Sequence, residues 1–93
     1  MNKPTLPIKL DTGSMVMWES DLSELKSRLS INIKHLRNEK KLAQERLGLD
    51  AGVDRTLVSK IERQIANPSL EILTKIAYQL DVTVIDLLSD KKA

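Results

Sequence analysis

Residues 44–63 read QERLGLDAGVDRTLVSKIER. Leu47 and Ala51 stand one helical turn apart and share a face. Gly52 suits the left-handed conformation that ends a helix, and Asp54 is a short acceptor for the free amides of a following first turn. The stretch predicts two short helices pinched around Gly52-Val53-Asp54. At about 100° per residue from Arg55, Ser59, Thr56 and Lys60 fall between about 40° and 140°, and Leu57, Ile61 and Val58 between about 200° and 300°. The second helix is therefore expected to split into an apolar stripe toward a core and a polar stripe toward solvent.

Upstream, Leu22, Leu25, Leu29, Ile33 and Leu36 step by three or four, which predicts a long first helix capped by Ser20 or Asp21 and fraying near Lys40-Lys41. The next helix is expected from Ala43 or Gln44. Downstream, a polar loop over 64–68 precedes Ser69 as the cap of a fourth helix, with Leu70, Leu73, Ile76, Ala77 and Leu80 as its buried face. Residues 81–83 lead into a fifth helix over 84–88, followed by a charged tail over 89–93. Pro4, Pro7 and the cluster Asp11-Thr12-Gly13-Ser14 break helix, so residues 1–20 read as an arm or a small hairpin with strands near 8–10 and 15–18. The expected organisation is an all-α five-helix domain over 21–88, between that arm and the tail.

Composition narrows what such a domain does. The 93 residues, 41% hydrophobic, suffice for one small core and leave no room for a second, catalytic domain. Without Phe, and with one Trp and one Tyr, the core must be aliphatic, which suits packed helices. The absence of cysteine excludes disulfides and thiolate metal sites, and a lone His35 does not make a zinc site. No apolar run approaches the ~20 residues that span a bilayer, and no stretch resembles a signal peptide, so the expectation is a cytoplasmic protein without membrane contact or cofactor. His35 has no Ser or acid at a spacing that defends catalysis.

Net charge is only +2, yet residues 34–64 hold eight Lys and Arg against five Asp and Glu. A local basic face attracts phosphates even on a nearly neutral chain. A DNA major groove admits one α-helix, whose N-terminal residues meet base edges. On the polar stripe Arg55 and Lys60 are long enough for guanine O6 and N7, Thr56 suits a thymine methyl or a phosphate, and Ser59 suits a phosphate. The plain alternative is the solvated side of an amphipathic surface helix.

The wider pattern decides between them. Ile33-x-x-Leu36-Arg37, Gln44-Glu45-x-Leu47, Ala51-Gly52-Val53, Val58-Ser59-x-Ile61-Glu62-Arg63, Asn67-Pro68-Ser69-Leu70, Ile76-Ala77 and Leu80-Asp81-Val82 follow one another in order. Through these landmarks residues 29–88 resemble the Cro/C1-type (XRE-like) helix-turn-helix regulators. The resemblance implies a lambda-repressor-like fold that binds double-stranded DNA as a two-fold homodimer, with recognition helices roughly 34 Å apart. It implies Gln44 and Ser59 at phosphates, Arg55, Thr56 and Lys60 at bases, and an ion pair of Arg37 with Glu62. Dimer contacts would come from Val84, Ile85 and Leu88.

Gly48 departs from the family's usual Ala and Gln64 from a frequent Gly, so a close helix crossing and a different backbone turn are expected there. Leu49 and Leu57 stand where the family is polar. The runs Asp54-Arg55-Thr56 and Ile61-Glu62-Arg63 are similar to the controller proteins of restriction-modification systems. The alternative function is an antitoxin whose N-terminal extension holds a toxin partner, or a phage-type repressor.

Overall fold

The computed structural model describes residues 17–90, so residues 1–16 of the arm or hairpin expected over 1–20 lie outside the described residues, as does the end of the tail. Five helices follow in order: α1 (Met17–Glu39), α2 (Gln44–Ala51), α3 (Leu57–Glu62), α4 (Leu70–Gln79) and α5 (Val84–Leu88). The four links between them share one device. Lys41, Gly52, Gln64 and Asp81 each take a positive φ near 60–70°. In each link the amide one residue later returns to a carbonyl five residues back: Leu42 to Arg37, Val53 to Gly48, Ile65 to Lys60 and Val82 to Ala77, at 2.9–3.0 Å. This is the helix stop in which a left-handed residue satisfies the last orphan carbonyls and an apolar residue follows. Leu42, Val53 and Val82 accordingly pack against the core.

Gln64 therefore makes the left-handed turn that a glycine would make, contrary to the different turn expected there. A side chain in that conformation costs roughly 1–2 kcal/mol. The backbone ahead of α3 comes close to Gly48, as a close crossing requires. A Cβ there would meet the Asp54 carbonyl at 3.4 Å and the Arg55 Cα at 3.6 Å, which is ordinary contact, so alanine fits without a closer approach.

The core is aliphatic. Leu29, Ile33 and Leu36 of α1 meet Leu47 and Ala51 of α2, Val58 and Ile61 of α3, Leu73, Ile76 and Ala77 of α4, then Leu80 and Leu87. α1 packs on α3 and α5, and α2 on α3 and α4. Ser69 caps α4 through its Oγ, which accepts from the Ile72 amide at 3.2 Å. Thr83 and Asp86 cap α5 reciprocally, each side chain accepting from the other's amide. Asn32, buried on α1, donates through Nδ2 to the carbonyls of Asp86, Leu87 and Ser89 at 2.9–3.2 Å and ties the end of α5 to the middle of α1.

Two edges depart from the sequence reading. α1 starts at Met17, so neither Ser20 nor Asp21 caps it, and Met17 and Trp18 are helical rather than part of a strand. Its apolar stripe thus runs back through Leu25 and Leu22 to Trp18. Leu25 is 38% exposed, and Leu70, expected in the core, is 73% exposed. Leu25 lies on the third turn of α1 and Leu70 on the first turn of α4, and both overhang a core ending at Leu29 and Leu73. Leu57 half-buries against the core, whereas Leu49 is exposed.

Candidate nucleic-acid interface

Glu62 is the residue around which the site is assembled. Its side chain is 3% exposed, and an ionised carboxylate is kept inside only when it is paired and hydrogen-bonded. Arg37 supplies the pair from α1, its Nε 2.7 Å from Oε2 and its Nη2 3.0 Å from Oε1. The remaining Nη1 donates to the Leu42 carbonyl at 2.7 Å, so the guanidinium also holds the link into α2. Gln44, first residue of α2, donates through Nε2 to Oε1 at 2.9 Å. Ser30 Oγ donates to the Glu62 carbonyl at 2.6 Å. α1, α2 and α3 are therefore locked together at the end of α3, and no buried side-chain polar atom among the described residues lacks a partner.

On the outer side the N-terminus of α2 and the outward stripe of α3 form one shallow hollow lined by Gln44, Glu45, Arg55, Thr56, Ser59 and Arg63. Ala43 brings no side-chain cap to α2, so its first-turn amides keep their partial positive charge at this rim. Of the sequence candidates, Gln44, Arg55, Thr56 and Ser59 come together here. Lys60 is exposed on α3 beside the hollow rather than in its wall.

Arg55 and Thr56 precede α3 instead of forming its first turn, because Asp54 organises a separate turn ahead of it. Asp54 Oδ1 accepts from the Thr56 amide at 2.8 Å and from the Thr56 hydroxyl at 2.7 Å. The Thr56 hydroxyl, then the Thr56 amide, and to a smaller extent the charges of Lys60 and Arg55, hold the Asp54 carboxyl below its ordinary range. With that proton committed, Thr56 offers its methyl group and hydroxyl lone pairs outward.

Arg63 was not singled out from the sequence as a contact, yet it lines the hollow, its Nε 3.2 Å from Ser59 Oγ. The same helical wheel carries the signal: Arg63 falls at about 80°, between Ser59 and Thr56. At the other end of the fold, Val84 and Leu88 pack partly against the core, Leu87 is fully buried, and Ile85 is 80% exposed. His35, half-buried on α1, lies 3.3 Å from Glu39. Among the described residues no group of three metal-ligating side chains occurs and no helix is long and apolar enough to cross a membrane.

Comparison with known proteins places this arrangement. The family model HTH_3, helix-turn-helix, matches residues 33–87. A hypothetical transcription factor of Neisseria meningitidis serogroup B is 36% identical over 87 residues, covering 94% of this chain and 74% of that protein. The crystal structure of the Neisseria factor NHTF superposes with a TM-score of 0.68 at 30% identity, over 96% of this chain and 87% of that one. The HTH-type transcriptional regulator SinR of Bacillus subtilis is 42% identical over 60 residues, 63% of this chain, and the chain spans only 54% of SinR. The control protein C.MunI of a Mycoplasma species is 39% identical over 70 residues, 74% of this chain and 95% of that protein. With its four stopped helices, its outward polar stripe and these matches, the chain belongs to the HTH_3 family of Cro/C1-type (XRE-like) helix-turn-helix proteins, sequence-specific DNA-binding transcription regulators.

Proposed function

We propose that this regulator binds a two-fold operator as a homodimer in the cytoplasm, with Arg55, Thr56, Lys60 and Arg63 at base edges and Gln44 and Ser59 at phosphates. The observation that carries this reading is the hollow itself. Gln44 at the uncapped start of α2 and Arg55, Thr56, Ser59 and Arg63 around α3 line one surface, while the nearest glutamate of α3 is turned inward. An anion is favoured at a helix N-terminus, and the long cations beside it match guanine edges. Exposed Ile85 supports α5 as a contributor to the dimer.

The test is a selection of bound duplexes from a random pool, followed by single substitutions. Arg55→Ala is expected to relax one base position by roughly 1–3 kcal/mol. Gln44→Ala should instead weaken all sequences about equally, with folding checked because its amide also holds Glu62. Equal affinity for the selected site and random duplex at about 0.15 M salt would overturn the residue assignment. The match over nearly all of a control protein supports the controller reading over the antitoxin reading. A restriction or methylation gene beside this one would agree with it, and a small toxin gene would reverse it.

A further inference from the structure

We infer that the first three turns of α1 form an antiparallel helix pair with the same segment of a second copy of this chain. The inference rests on the dimer reading above and deepens it by naming the pairing surface. Residues 17–28 continue α1 beyond the core, and Trp18, Leu22, Leu25 and Leu29 step by four, three and four along them. That spacing is the apolar seam of a two-helix coiled coil. The seam dives into the core at Leu29 and is partly open before it, with Trp18 64% exposed, Leu25 more than a third exposed and Leu22 half-buried.

The flanking charges choose the occupant and its direction. Glu19 and Lys26 border the seam on one side, Asp21 and Arg28 on the other. When two copies run antiparallel with Leu22 beside Leu25, Glu19 meets Lys26 of the second copy and Asp21 meets Arg28. The acidic first half of each segment then covers the basic second half of the other, and the helix dipoles oppose. A parallel pair would gather the acidic ends together. Glu24, bound to Arg28 at 2.8 Å one turn away, steadies the guanidinium from the outer face. Leu88 of α5 borders the same seam beside Leu22 and Leu25, so the pair is continuous with the end of α5.

Trp18 is the single tryptophan and reports directly on the seam. In the full chain, sedimentation equilibrium is expected to give a dimer, and Trp18 emission should shift to the red on dilution with the same midpoint. The variants Glu19→Lys/Asp21→Lys and Lys26→Glu/Arg28→Glu should each dimerise at least tenfold more weakly while staying helical by circular dichroism. Their equimolar mixture should restore the dimer. Undiminished self-association of both variants would overturn the proposal, as would a monomer whose Trp18 emission is blue at every concentration, since the chain's own residues would then cover the seam. If Ile85→Glu alone dissolved the dimer and Trp18 emission never changed with concentration, the dimer would stand on α5 and the α1 pairing would fall. A chain monomeric at every concentration would remove both.

Discussion

The two halves of α1 carry one apolar stripe and meet different surroundings. From Leu29 to Leu36 the stripe is buried in the core, with α1 packed on α3 and α5, and from Trp18 to Leu25 it is largely open. The periodicity is the same in both. What differs is how far four short helices reach along a helix of 23 residues. Periodicity tells which side of a helix is apolar, while burial depends on how many elements are long enough to cover it.

The contrast can be broken first at Ile33, which is fully buried. Ile33→Ala should cost about 4 kcal/mol in a urea unfolding measurement, since it combines lost transfer energy with a cavity. Arg37→Ala follows at about 3 kcal/mol, because it leaves the Glu62 carboxylate inside with only Gln44 to offset it. Replacing both Arg37 and Glu62 with apolar residues should recover much of that loss, which separates a stranded charge from lost packing. Asn32→Ala should cost about 2 kcal/mol, through three carbonyls deprived of their donor. Leu25→Ala, in protein dilute enough to be monomeric, should change stability by no more than about 0.5 kcal/mol. A cost near that of Ile33→Ala would show that the two halves are not different at all.

The smallest effect lies away from both halves. The folded state holds the Asp54 carboxyl below its ordinary range, so ionised Asp54 favours folding. That contribution is complete above the unfolded carboxyl's pKa and is lost as pH falls through the lowered folded value. The loss of stability on acidification should therefore be slightly shallower in Asp54→Asn than in the unaltered chain, as read by unfolding at a series of acidic pH values.

Much of the fold was legible because its signals are local. Lys40-Lys41 marks the end of α1, Gly52 the stop of α2 and Ser69 the start of α4. The beginning of α1 is harder to read because Pro4, Pro7 and Gly13 mark the N-terminal stretch as irregular, although nothing between Met15 and Glu39 breaks a helix. The hollow was legible where it follows from one helix's wheel, as for Ser59. It was incomplete at Arg63, which the wheel places on the stripe but which stands where α3 stops. Asn32 and Gln44 were harder still. Their inward partners lie 54–57 and 18 residues away, so no local spacing announces them, and Gln44 read alone points only to an outward role.

The lock at Glu62 has a mechanical consequence for recognition. Because that one residue fastens α3 to α1 through its carboxylate and carbonyl and to α2 through Gln44, the reading surface moves as a stiff body. Under the proposed assignment, adaptation to an imperfect site would be left to the reach of Arg55, Lys60 and Arg63 and to the bending of the duplex. A stiff reader forgoes ordering cost on binding and, in exchange, transfers the burden of fit to the flexibility of the DNA sequence it meets.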